Sequence, residues 1–188
     1  MSTVKLKFFS QGYYNGNGEM TSVKYNQDQA EPKTAPIYEV ETATATIWAG
    51  ATAVETQTAT WKTDGTAEFE FSHEGDYIIS VSGVNTLEVF TPSALTLGDN
   101  PLEYDFTVDA SQAFGSNQAE VETGVFALYS GDVNQDGTIS EADRALWNTD
   151  SDNALFGTYP TDLNGDGRVD PIDFTILEPN LGKSVMRP

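Results

Sequence analysis

Gly131 to Asp173 holds one pattern of oxygen-bearing side chains twice. The first copy contains Asp132, Asn134, Asp136, Gly137, Thr138, Ile139, Ser140 and Asp143; the second contains Asp162, Asn164, Asp166, Gly167, Arg168, Val169, Asp170 and Asp173. Each has Asp, Asn and Asp at positions 1, 3 and 5, Gly at 6, an aliphatic residue at 8 and Asp at 12. Alternate positions of a curling loop turn their oxygens to one side, and Gly at 6 permits the bend that brings the carbonyl of position 7 inward. Such a set suits Ca²⁺, which takes about six to eight hard oxygens at roughly 2.3–2.6 Å. The spacing predicts two Ca²⁺ per chain. One is expected on Asp132, Asn134, Asp136, the Thr138 carbonyl, Ser140 and Asp143; the other on Asp162, Asn164, Asp166, the Arg168 carbonyl, Asp170 and Asp173. Asp170 adds a carboxylate where the first copy has Ser140, so the second site is expected to bind more tightly. Ile139 and Val169 are expected to pair across the two loops.

Position 12 is Asp in both copies, where an EF-hand has Glu, and the shorter arm asks for a tighter loop. With that feature the pair, residues 131–181, resembles the dockerin family. The resemblance implies calcium binding, a helix after each loop and, in members that bind cohesin, a recognition pair at positions 10 and 11 with a basic residue later. Glu141–Ala142 and Pro171–Ile172 stand at those positions here. The segment from Phe174 has room for about two helical turns before Pro179. Calcium binding carries over from the family; cohesin binding does not follow from these residues.

The elements that must hold the loops read as strands. Val4, Leu6 and Phe8 alternate with Lys5 and Lys7; Asn15–Gly18 is a turn, and a short run surrounds Val23 and Tyr25. Residues 26–36, with Pro32 and Pro36, read as a loop. Strands follow at Thr42–Ala49 and Thr56–Trp61, then a tight Asp64–Gly65 turn leads into Ala67, Phe69 and Phe71 on one face. Tyr77–Val81, Leu87 with Val89, and the alternation Leu102, Tyr104, Phe106, Val108 complete the series, and the run Val121–Tyr129 enters Gly131 with no linker. The expected fold is mainly β: an antiparallel β-sandwich over 1–130, then a small helix-and-loop module with the paired EF-hand-type loops over 131–188. The stretch Ala59–Phe71 followed by Gly75–Val81 resembles transthyretin-like or CnaB-type sandwiches of bacterial surface proteins. The isopeptide bond of CnaB domains is not carried over, because no lysine here has an evident partner.

Charge narrows the partners. The chain has 29 acidic and 9 basic residues, a net charge of −20. Residues 131–188 hold 11 acids and 4 bases, leaving 18 and 5 to residues 1–130, so the acidity is not confined to the loops. This charge argues against nucleic acid and anionic membranes as partners. No run of about 18 apolar residues is present to span a membrane. Met1–Phe9 alternates charged and apolar residues and does not read as a signal peptide. No cysteine is present, so thiol chemistry is absent. Calcium loops suit an extracellular or bacterial cell-surface setting, where millimolar Ca²⁺ fills sites of modest affinity.

A catalytic site is not expected. His73 is the lone histidine and reads as an exposed turn residue, and the acids alternate with apolar residues as on a solvated strand face. Trp48, Trp61 and Trp147 read as core or interface; the competing reading is a sugar-stacking platform for carbohydrate. Two functions follow. The first is a non-catalytic structural or assembly protein, a subunit of a surface filament, layer or adhesin that self-associates by strand addition through Val4–Phe9. The second is a docking module that anchors a carbohydrate-active or adhesive protein to a cohesin-like receptor. In chelator, residues 131–181 are expected to lose order while the sandwich survives on its own core.

Overall fold

The alternation of apolar residues becomes a series of short strands in a computed structural model that describes residues 1–188. In chain order these are β1 (Ser2–Lys7), β2 (Tyr14–Gly16), β3 (Glu19–Met20), α1 (Val23–Gln27), β4 (Glu39–Ala49), β5 (Thr52–Lys62), β6 (Thr66–Phe71), β7 (Gly75–Ser82), β8 (Val89–Phe90), β9 (Leu95–Leu97) and β10 (Leu102–Asp105). β11 (Ala119–Glu122) and β12 (Val125–Ala127) then precede the two helices α2 (Glu141–Asp152) and α3 (Pro171–Leu177). One sheet runs β10-β1-β6; the larger runs β5-β4-β7-β8, with β9 also on β7. All these pairings are antiparallel except β1 with β10.

The fold is mainly β, as the alternation predicts, and both sheets feed one core. Val4 and Leu6 of β1, Phe69 and Phe71 of β6, Ala43, Ala45 and Ile47 of β4 and Ile79 and Val81 of β7 are all buried in it. The chain changes sheet at Asp64–Gly65. Gly65 has φ +86°, and a Cβ there would lie 2.6 Å from the Phe9 ring, so the turn requires glycine. Trp61 is fully buried just before it, stacked on Phe8 at 4.4 Å, with its indole N–H donating to the Phe8 carbonyl. A second, smaller core of Val133, Trp147, Leu163, Val169 and Leu177 lies under α2 and α3.

Several expectations are corrected. β1 lies in the middle of its sheet, bonded to β6 on one side and β10 on the other, so Val4–Phe9 has no free edge for strand addition. The run around Val23 and Tyr25 is the helix α1, because Val23 and Gln27, four apart, turn the same way and are buried. The alternation from Leu102 stops at Asp105, whose carboxylate accepts from the Thr107 amide and hydroxyl and turns the chain; Val108 is exposed. The run Val121–Tyr129 is broken into β11 and β12 by Gly124, at φ +75°. Trp61 and Trp147 are buried in different cores while Trp48 packs on Phe90, so the tryptophans form no shared platform.

The two cores meet across a polar seam. Gly12 packs so closely that a Cβ there would lie 2.1 Å from the Leu163 carbonyl oxygen. Asn180 donates to Gln11 and to the Ser130 carbonyl, and Asn85 donates to the Tyr13 hydroxyl and the Pro160 carbonyl. Beside the seam is a cavity of about 400 Å³ whose wall includes Lys24, Gln27, Glu41, Val84 and Tyr159. Burial pushes the Glu41 carboxyl up to about 8, against the pull of the Val84 amide, which donates to it, and of the nearby Lys24 ammonium.

Two outcomes are expected. Leu6→Ala, in a central strand with no exposed surface, should lower unfolding free energy by about 2–5 kcal/mol in denaturant titration. Stability held by Glu41 is greatest below its unfolded value and is lost as pH rises through about 8. Glu41→Gln should therefore match the parent at pH 4.5 and exceed it by roughly 2 kcal/mol at pH 8.5, read as thermal midpoints.

Candidate metal centre

Each duplicated pattern folds into a loop whose first residue gathers its backbone. Asp132 accepts from the amides of Asp136 and Gly137, both at 3.1 Å. Asp162 accepts likewise from Asp166 at 3.2 Å and Gly167 at 2.9 Å. At position 3 the Asn oxygen accepts from the amide of position 5, and its NH₂ donates to the position 5 carboxylate: Asn134 to Asp136, and Asn164 to Asp166. Gly137 and Gly167 have φ +88° and +89°, the bend predicted for position 6. Position 4 is also left-handed, and here the copies differ. Gln135 reaches the carbonyls of Thr86 and Asp132, whereas at Gly165 a Cβ would lie 2.5 Å from Val23 and 3.1 Å from Tyr13.

Position 12 closes each loop. Asp143 has no exposed surface; one oxygen accepts from the amides of Val133 and Asn134, the other from the Ser140 amide. Asp173 accepts from Leu163, Asn164 and Asp170 in the same way. Position 9 faces the helix that follows: Ser140 caps α2 and Asp170 caps α3, each in a capping box with the position 12 Asp. The expected Ile139–Val169 pairing is not formed. The Ile139 backbone bonds with Gly182 and Lys183, and the Val169 amide with the Leu155 carbonyl, because flanking segments reach each loop first.

The loop carboxylates lie close together in a half-dry setting. Burial, then the Asp143 and Asp136 charges, push Asp132 up to about 6; burial and Asp162 push Asp173 up to about 6; burial and Asp166 raise Asp162. None of the five ion pairs in the protein involves a loop aspartate. No three acidic or histidine side chains converge to clasp an ion by themselves. The loops offer a mixed set instead: carboxylates, an Asn oxygen and the carbonyl of position 7. Hard oxygen donors around buried, unpaired negative charge fit a divalent cation of the Ca²⁺ class.

Other candidates fall elsewhere. His73 is exposed between β6 and β7, as expected, but it is not isolated: its Nδ1 lies 2.7 Å from the Glu55 carboxylate. Glu141, Ala142, Pro171 and Ile172 are all exposed, as is Leu146 on α2. Gln27 was not singled out by the sequence, yet its Nε2 donates to the Asp162 carboxylate at 2.9 Å from 135 residues away. No local pattern marks such a contact; only the folded chain brings it about.

No helix is long and apolar enough to cross a membrane. No family model and no curated protein matches the chain. Among solved structures, the chain is similar to one from a C-terminal interface mutant of the type II cohesin–X–dockerin complex of Acetivibrio cellulolyticus, with a TM-score of 0.57 at 17% identity over 98% of this chain and 97% of that one. A chain from the N-terminal interface mutant of that type II complex gives a TM-score of 0.54 at 16% identity, again over 98% and 97%. At these identities the likeness is one of fold, and it spans both chains nearly end to end.

Proposed function

We propose that this chain is a non-catalytic, extracellular bacterial docking protein, in which the sandwich of residues 1–130 is a rigid mount and residues 131–188 form a dockerin-like module that engages a cohesin-type receptor when loaded with two Ca²⁺. The observation that supports this best is the division of α2 and α3 into two faces. Asp143, Trp147, Asp173 and Leu177 are buried on one side, while Ala142, Leu146, Pro171 and Ile172 are exposed on the other. The two helices touch through the Trp147–Phe174 stack at 4.7 Å, which fixes their exposed residues relative to one another. Solved chains of similar fold come from cohesin–X–dockerin complexes, which supports a docking role.

In this reading Asp132, Asn134, Asp136, the Thr138 carbonyl and Asp143 hold one ion, and Asp162, Asn164, Asp166, the Arg168 carbonyl and Asp173 the other. Bound Ca²⁺ supplies the positive charge that the buried aspartates lack. Ser140 and Asp170, at position 9, set the first turn of each helix. The chain thereby ties loop closure to the start of the helix that presents the docking face.

Calorimetry should return two Ca²⁺ per chain, falling to one in Asp132→Ala and in Asp162→Ala. A type II cohesin immobilised on a sensor should capture the protein in Ca²⁺ and release it in EDTA. Ile172→Arg and Leu146→Arg should each weaken capture by at least about tenfold with calcium stoichiometry unchanged. Equal capture with and without Ca²⁺, or a stoichiometry of zero, overturns the reading.

A further inference from the structure

We infer that the second calcium loop is completed by the sandwich, with Gln27 of α1 as a positioning residue for Asp162. This rests on the calcium reading above and extends it to a residue outside the loops. The two loops share their internal bonds but differ in what holds their first ligand. Asp132 accepts only from the amides of its own loop. Asp162 accepts from the Gly165, Asp166 and Gly167 amides and also from the Gln27 side chain. Gln27 is 8% exposed and Asp162 fully buried, so losing that amide leaves a buried carboxylate short of a donor.

The contact belongs to a whole helix face. Val23, Asn26 and Gln27 lie at i, i+3 and i+4 and turn the same way. Val23 covers Gly165; Asn26 donates to the Gly165 carbonyl at 2.9 Å, and its own carbonyl oxygen would lie 2.6 Å from a Cβ on Gly167; Gln27 meets Asp162. One turn of helix therefore touches positions 1, 4 and 6 of the loop. The first loop has no such helix. It is held by main-chain bonds to the tail, from the Val185 amide to Gly137 and between Ile139 and Lys183, and by its own Gln135.

Outer groups that orient a metal ligand commonly change affinity by about 10–100-fold. Because coupling is reciprocal, calcium in the second loop should also steady α1 and the segment after it, where Asp28 gathers the amides of Ala30, Thr34 and Ala35.

The test uses the full chain. In an Asp132→Ala background, which leaves the second loop as the remaining site, Gln27→Ala should weaken Ca²⁺ binding by about 10–100-fold in calorimetry. Gln27→Met, which keeps the side-chain length and lacks the donor, should do the same and covers the case in which Gln27→Ala does not fold. Hydrogen exchange provides a readout that a purely structural role would not move: Ca²⁺ should slow exchange over residues 23–30 in the parent and not in Gln27→Met. A parent that binds no Ca²⁺ overturns the calcium reading itself. A parent that binds two, with Gln27→Met unchanged in affinity and in Ca²⁺-dependent protection, overturns this inference alone.

Discussion

Buried aspartate without a basic partner is the constraint that organises the C-terminal third. Asp132, Asp143, Asp162 and Asp173 are nearly or fully buried, and none is paired with lysine or arginine. A carboxylate removed from water needs compensation, and here it comes from main-chain N–H groups. Those donors are available only where the chain bends sharply, so the bends at Gly137 and Gly167 and the caps of α2 and α3 follow from the same need. Backbone dipoles orient the carboxylates and soften their repulsion without cancelling their charge. A loop built this way keeps its geometry while its negative charge stays uncancelled.

The need extends past the loops. The sandwich contributes Gln27, Asn26 and the Thr86 carbonyl to them, and the close approach of Gly12 to Leu163 excludes anything larger than hydrogen between the layers. The apolar residues fall into two cores, drawn from residues 4–128 and 133–177, but the polar groups form one network across both. Residue 130 thus separates two hydrophobic cores more cleanly than it separates two sets of hydrogen bonds. The missing linker ahead of Gly131 has its counterpart in this network, since the Gly131 amide donates directly to Asn85.

What could be read in advance was whatever repeats at short range. Val4 and Leu6, or Ala67, Phe69 and Phe71, declare a buried face by alternation, and the loop bends are dictated by glycine at a fixed offset. Strand order was not legible. Nothing in Val4–Phe9 distinguishes an edge strand from a central one, because its neighbours lie about sixty and about a hundred residues away. Val23–Gln27 was misread because a single helical turn shows only one spacing of apolar positions, too few to separate from a strand. In the loops, the oxygen-bearing residues and their spacing were plain, while the partners of Ile139, Val169 and Asp162 depend on segments that approach from elsewhere.

The central place of β1 also bears on how the chain reaches its fold. β1 joins β6 antiparallel and β10 in parallel, so its second partner, Leu102–Asp105, is about a hundred residues downstream. Closing so long a span has a large entropic cost that is recovered only when the strands meet, and such topologies fold slowly. The larger sheet, by contrast, contains the β4–β5 hairpin, whose partners are neighbours in sequence. The sheet that holds the first residues of the chain is therefore among the last that its contacts allow to close.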